Sequence, residues 1–427
     1  MFKKLTAALI LLLALASCGQ PARKAGAVRE ERRTPELLAA VPSDALAVVY
    51  YDELEDGLPL YDSTSILHQL DLSAFKRAHM ALSLCYNGSL VPVLAVDAGR
   101  TEADSVSAVN TLLAQAGTLR LHAEYIRPDK EAGRRGFVLI TPSDAQMTAV
   151  RRHLTEYTSI LDAPGFRQAL ALTSGDFVIF RNNGAEHLAP KGWLKDFFPR
   201  RELTAFLGTV ADWTVFTPEA GGFGLQASCG PADSYFANVF ASLPTADSRL
   251  GSLLPADTRF ALALPVHNPE LREAVVRFRD ASVKLTKYNK TLEERKKESG
   301  KDPLKWEKEL DVREVALVHF GGGAVTLVRP AKAVPDAEAS ANAWRGILPA
   351  LYGSAFALSD DSFTAAWSGW YVYGSEAAVC AFLEAERPGE ESPIVWPGKG
   401  CRFVIYEPDR TLAWGKKGIK LLWNTNQ

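Results

Sequence analysis

The sequence is poor in the residues that build metal and redox centres: 427 residues hold five cysteines, three methionines and seven histidines. The histidines (68, 79, 122, 153, 187, 267 and 319) are scattered, none forming His-x-x-x-His, and no Cys-x-x-Cys pair occurs. Zinc spacing is therefore missing, and no metal is expected. A P-loop and a Gly-x-Gly-x-x-Gly turn are missing too, so no cofactor is expected. Charge of one sign is lacking: 48 Lys and Arg face 50 Asp and Glu, a net charge of −2. Removing Lys3 and Lys4 with a signal segment makes it −4, which gives no reason to expect nucleic acid as a partner. After the first few residues no run approaches the ~20 apolar residues that span a bilayer.

What is present begins with a leader. Lys3 and Lys4 form a short basic region, and an apolar run follows from Leu5 to Leu15. That run has the length of a signal-peptide core and is too short to cross a membrane. It ends in Leu15-Ala16-Ser17-Cys18, which resembles the lipobox of bacterial lipoproteins. The resemblance implies a signal over 1–17, cleavage before Cys18, and acylation of the Cys18 thiol and of the new amine. Several acyl chains exceed what stable anchoring requires, at ~0.8 kcal/mol per buried CH₂. The membrane is thus the first expected partner, reached through the N-terminal lipid.

Residues 18–36 are polar, charged and poor in large apolar side chains, and read as a flexible tether. The rest of the chain, with 47% hydrophobic and 10% aromatic residues overall, has the composition of globular domains. Its length exceeds one ordinary core. Cys85, Cys229, Cys380 and Cys401 remain beyond Cys18. An even count in an oxidising compartment permits disulfides in three connectivities, while their apolar surroundings equally suit buried thiols.

The body reads as an internal duplication, with a first copy over 37–249 and a second over 250–427. Val41-Pro-Ser-Asp-Ala-Leu-Ala-Val-Val-Tyr50 opens one and Leu254-Pro-Ala-Asp-Thr-Arg-Phe-Ala-Leu-Ala263 the other, each a Pro-x-Asp turn running into a strand. Two apolar strands follow around Asn87-Gly88 in the first copy and Gly321-Gly322-Gly323 in the second, residues that tolerate the positive φ of hairpin turns. Strand, cap and helix follow over 137–150 and 370–383, with Ser375 a candidate N-cap. Asp176–Phe180 matches Arg402–Tyr406, and 212–229 and 411–423 each read as strand, Gly turn, strand.

The copies differ in insertions. The first carries helical sequence near Arg200–Val210. In the second, Leu271, Val275, Phe278, Leu285 and Leu292 fall on one face of a single helix of ~30 residues from Asn268 to Lys297. The polar residues Ser282 and Asn289 keep that spacing. Gly300 ends it, Asp302-Pro303 opens a short second helix, and the helical insertion as a whole covers 268–311. The Lys and Arg on the polar face read as a solvated surface. The fold class is α+β: two tandem, mostly antiparallel sheet domains, each laying helices on one face, with the groove between them as the expected binding site.

No complete catalytic constellation emerges. Ser73-Ala-Phe-Lys76 fits Ser-x-x-Lys, but the Lys-Thr-Gly and Ser-Asp-Asn companions of serine acylases do not occur, and Ser73 reads more simply as a helix cap. Asp52-Glu53-Leu-Glu55-Asp56 reads as a solvated loop. Asp360-Asp361 reads as a hairpin turn between 356–358 and 363–366. The ligand-facing candidates are aromatic: a Ser-Gly turn pairs Trp367 with Trp370 and sets Tyr371 and Tyr373 on one face. Such rings stack sugars or simply pack a sheet.

The lipobox, the charged tether and the repeated Pro-x-Asp-strand opening resemble an envelope lipoprotein family of Gram-negative bacteria that has no assigned activity. That resemblance implies a lipid anchor and carries no catalytic residue. Gly19, with no Asp after the Cys, resembles lipoproteins sorted to the outer membrane. Gly19-Gln-Pro-Ala-Arg-Lys24 lacks an acidic surface-export tag, which favours the periplasmic face. The expectation is a non-enzymatic envelope protein binding a protein or polymer, with a surface glycan-binding lipoprotein as the alternative.

Overall fold

The computed structural model describes residues 36–57, 69–100, 105–128, 136–184, 209–219, 222–265, 268–352, 356, 359–389, 394–415 and 418–423. Among these are seventeen strands and ten α-helices, and the strand pairs within each half run antiparallel. The α+β class follows directly. The chain divides into two compact units, Met1–Gly230 and Pro231–Gln427. The second begins earlier than 250 because Val239 and Leu243 pack with Leu271 and Ala274.

In the first unit the strands are β1 (Ala47–Tyr51), β2 (Met80–Tyr86), β3 (Leu90–Asp97), β4 (His122–Ile126), β5 (Phe137–Thr141), β6 (Phe177–Arg181), β7 (Trp213–Glu219) and β8 (Gly222–Ser228). Their pairing gives the order β4-β5-β3-β2-β1-β6-β7-β8. The Pro42 turn closes with Ala45 N donating to the Pro42 carbonyl at 3.1 Å and feeds β1. Strand β1 is buried along its whole length, because helices cover both faces of this sheet. Helix α1 (Ser105–Thr118) sets Val109, Leu112 and Ala116 against Val49, Leu82, Leu94 and Val138. Helix α2 (Asp144–Thr155) sets Met147, Val150 and Leu154 against Val48, Ala81, Val93 and Leu139. Two-sided cover, not the one-sided cover expected, explains why β1 and β5 read as unbroken apolar runs. Each large side chain so buried contributes about 1.5–3 kcal/mol.

The second unit contains β9 (Phe260–Leu264), β10 (Glu314–Phe320), β11 (Gly323–Arg329), β12 (Ala337–Ala341), β13 (Phe363–Trp367), β14 (Trp370–Gly374), β15 (Cys401–Glu407), β16 (Arg410–Gly415) and β17 (Gly418–Trp423). Their order is β12-β13-β14-β11-β10-β9-β15-β16-β17. The Pro255 carbonyl accepts both the Thr258 amide at 3.1 Å and its hydroxyl at 2.6 Å, closing the turn before β9. In each unit the first strand lies inside the sheet between the second strand and a much later one. Asn87-Gly88 and Gly321-Gly322 both form the expected hairpin turns, with Gly88 at φ 70° and Gly323 at φ 126°.

The single long helix expected from Asn268 is two helices. Helix α3 (Asn268–Ala281) stops, the chain turns through Ser282, Val283 and Lys284, and α4 (Leu285–Ser299) follows. Nothing in the apolar spacing marks this break, since Leu285 and Leu292 continue the phase of Leu271 and Phe278. Gly300 ends α4 in the left-handed region at φ 67°, as expected. Asp302 then caps α5 (Pro303–Leu310), accepting from Leu304 N at 3.0 Å and Lys305 N at 3.4 Å. Arg272 of α3 is ion-paired with Glu307 of α5, which is buried. Ser375 is the N-cap of α6 (Glu376–Glu384), whose Val379 and Phe382 enter the core beside Leu327 and Val372. The helical stretch near Arg200–Val210 lies outside the described residues apart from 209 and 210.

Candidate functional site

Cys18 and the tether to residue 35 lie outside the described residues. The aromatic candidates are described. Trp367 stands opposite Trp370 across the β13–β14 turn, where Ser368 (φ 52°) and Gly369 (φ 80°) are both left-handed. Two successive positive-φ residues give the tight hairpin whose twist matches its strands. Strand alternation then sorts the rings. Trp370 is 3% exposed and packs with Val372 and Val379, with the Arg329 guanidinium 5.7 Å from its ring centre. Tyr371 and Tyr373 share the other face, ring centres 6.3 Å apart, and Tyr373 is buried, which pushes its phenol pKa up.

Trp370 and Tyr373 are therefore core side chains. Trp367 is half-buried, edge-on to Phe382 at 5.9 Å. The Arg387 guanidinium lies 4.6 Å from the Trp367 ring and 4.9 Å from that of Phe382. It also donates to the Phe382 carbonyl at 2.8 Å and the Ala385 carbonyl at 2.5 Å, just past the end of α6. A cation seated on a ring contributes about 0.5–2 kcal/mol and takes up stacking area that a sugar would use. The hairpin thus holds one ring under an arginine and two rings in the core. Tyr371 is half-buried.

Ser73 and Lys76 are directed to different partners. Ser73 N donates to the Asp71 carboxylate at 3.1 Å, and hydrogen bonds from Ser73 hold Asp71 below the usual carboxylate pKa. Lys76 Nζ lies 3.7 Å from Glu55. Ser73 starts the 3-10 turn Ser73–Phe75 and is not its cap, a position held by Leu72. In the first acidic cluster, Glu55 and Asp56 belong to a short helix, Leu54–Gly57, which Leu54 fixes by full burial. Asp361 is no hairpin turn: its carboxylate accepts Gly346 N at 2.7 Å and its carbonyl accepts Asn342 Nδ2 at 2.7 Å. The strand paired with β13 on that side is β12, while 357 and 358 lie outside the described residues. Asp361's own burial pushes its carboxyl pKa up.

His79 stacks on Tyr50 at 5.9 Å, and its Nδ1 lies 4.0 Å from Asp52. Among the described residues no group of three or more His, Cys, Asp and Glu side chains is placed to hold a metal ion. None of the four described cysteines forms a disulfide; Cys85 and Cys401 are buried, and burial pushes their thiols up to about 12 and about 11.

A buried polar cluster around Glu314 was not singled out from the sequence. Glu314, fully buried at the start of β10, accepts from Ser248 Oγ at 2.5 Å, Arg249 N at 3.0 Å and Arg329 Nε at 3.2 Å. Ser248 Oγ in turn accepts the Trp396 indole N–H at 3.1 Å. Ala246 exchanges backbone bonds with Cys401 at 2.9 and 3.0 Å, so 246–249 is stitched to β15 as well as to β10. Burial raises the Glu314 pKa against the opposing hydrogen bonds and the Arg329 charge. This cluster is a clamp between chain segments, with both Glu314 carboxylate oxygens accepting hydrogen bonds. The signal for it was a lone carboxylate opening the strand Glu314–Phe320, whose other residues are apolar except for His319.

Compared with known proteins, the chain matches no family model, no curated protein and no solved structure.

Proposed function

We propose that this protein is a lipid-anchored component of the bacterial envelope that binds an envelope protein or polymer without catalysing a reaction. The observation that carries the reading is Leu15-Ala16-Ser17-Cys18 placed directly after a signal-length apolar run. Cys18 is the lipidated residue, the tether over 18–36 spaces the body from the bilayer, and the outer membrane's periplasmic face is the location.

The body is the product of duplication. Support comes from the strand orders: β1, β2, β3, β4, β5, β6, β7 and β8 occupy the places of β9, β10, β11, β13, β14, β15, β16 and β17. Strand β12 is an addition at one edge, and the helices over 268–311 are an insertion between the first two strands of the second copy. Duplication without a shared catalytic residue fits a binding scaffold. The engagement of Ser73 with Asp71 and of Lys76 with Glu55 lends no support to a serine acylase.

The test is the mass of the N-terminal peptide of protein purified from bacterial membranes. A peptide starting at Cys18 and carrying acyl chains is expected, with Cys18→Ala leaving an uncleaved, unacylated chain. An unmodified Cys18 behind an intact leader overturns the reading. Protease treatment of intact and lysed cells then reports the face: loss only after lysis is expected.

A further inference from the structure

The turn between α3 and α4 breaks a local rule at a conspicuous place. Helix α3 ends in a Schellman pattern: Lys284 N donates to the Arg279 carbonyl at 2.7 Å and Val283 N to the Asp280 carbonyl at 2.9 Å. That pattern needs a left-handed residue at Val283, which sits at φ 56°. Glycine is the residue that does this without steric cost, and Gly300 does it at the end of α4. A β-branched side chain there is a conformational outlier. It does not recover that cost by packing, because Val283 is 93% exposed. An apolar side chain held strained and exposed to water in the turn between two helices points to a use outside the unit itself.

The surroundings identify the use. From Ser282 to Thr291 the chain carries Lys284, Lys287 and Lys290 and no Asp or Glu. All three lysines are exposed, as are Ala281, Thr286 and Asn289; Lys290 also lies 3.7 Å from Glu294. Arg277 and Arg279 precede the turn, with Glu273 one helical turn before Arg277 and Asp280 after Arg279. An exposed apolar residue followed within seven positions by three exposed lysines fits the headgroup layer of an anionic bilayer: the lysines meet lipid phosphates and the valine reaches the acyl boundary.

We propose that the α3–α4 turn is a second membrane contact, seating Val283 among anionic lipid headgroups with Lys284, Lys287 and Lys290 around it. This rests on the reading that the protein works at a membrane. It adds that the second unit lies down on the surface and does not merely hang from a tether.

The experiment uses the full chain reconstituted in phosphatidylcholine vesicles with and without phosphatidylglycerol. The readout is trypsin cleavage after Lys284, by mass of the new ends, with Lys332 in the same unit as control. Cleavage after Lys284 is expected to slow about tenfold on anionic vesicles, and cleavage after Lys332 to stay unchanged. Val283→Gly keeps every charge and relieves the backbone, yet should lower the protection about threefold. K287E/K290E should abolish it. Equal rates on both vesicles, or protection that survives K287E/K290E, overturn the proposal. So does equal protection by soluble heparin without vesicles, which would make the target a polyanion. The N-terminal peptide mass reports the Cys18 anchor separately, so failure of one reading is distinguishable from failure of the other.

Discussion

The Ser248 hydroxyl donates to the buried Glu314 carboxylate at 2.5 Å, joining residues 66 positions apart. Around this bond Arg249 N, Arg329 and the Trp396 indole complete a cluster that fixes the segment before β9 against β10 and β11. Removing the hydroxyl leaves the buried Glu314 acceptor and the part-buried Trp396 indole N–H short of a partner. Ser248→Ala is therefore expected to cost about 1–3 kcal/mol in urea unfolding. A change under roughly 0.5 kcal/mol would mean that water replaces the hydroxyl freely.

Glu314 also sets a pH dependence. Burial holds its pKa above the usual carboxylate range, so the folded protein binds this proton more tightly than the unfolded chain. The associated stability is fully present below the unfolded value, about 4.3, and is lost as pH rises through the folded value. The unfolding free energy of the native protein minus that of Glu314→Gln should thus fall as pH increases across that window. A rising difference would show that Arg329 outweighs burial.

The two tryptophans of the β13–β14 hairpin should respond differently to truncation. Trp370→Ala empties a core position and is expected to cost about 3–5 kcal/mol. Trp367→Ala removes a half-buried ring and the seat of Arg387, for about 1–3 kcal/mol. Denaturant midpoints at constant slope give both numbers. Equal, small effects would return Trp370 to the list of ligand-facing residues.

Thiol labelling at pH 8 should sort the cysteines by burial. Cys380 is exposed and should react at once, whereas Cys229 is half-buried with its pKa raised by burial and should lag. With thiols pushed up to about 12 and about 11, Cys85 and Cys401 are nearly free of thiolate and shielded from reagent. Both should stay unlabelled until the fold is denatured. Early labelling of Cys401 would indicate that the 246–249 segment opens readily.

Val283→Gly should raise stability by roughly 0.5–1 kcal/mol, since glycine adopts the left-handed position without strain. Thermal unfolding measures it. A loss of stability would mean that the valine packs on something in the folded protein.

Much of the sheet architecture was legible because short-range chemistry announces it. Pro-x-Asp before β1 and β9, Asn87-Gly88, the glycines before β11 and Ser368-Gly369 mark turns at the residues that make them. Ser143 and Ser375 likewise mark the helices they cap, accepting from Gln146 N and Ala378 N. The break at Val283 was not legible, because valine is the wrong residue for the left-handed cap and the apolar spacing runs through it. Two-sided burial of the first sheet was hidden as well: the phase of α1 and α2 says that each has an apolar face, not which face of the sheet receives it. The Glu314 cluster was invisible for another reason. Its partners Ser248, Arg329 and Trp396 come from three separate segments that only the completed sheet brings together.

The strand order has a consequence for how each unit is completed in time. The first strand to emerge, β1, pairs on one side with β2 but on the other with β6, through partners as distant as Ala47 and Phe180. Strand β9 repeats this with β10 and β15. Neither sheet can close at its centre until most of its own unit has been delivered, so contact order is high and closure is slow. The centre of each sheet thus stays open on one side until residues as late as Phe177–Phe180, or Val404–Tyr406, are in place.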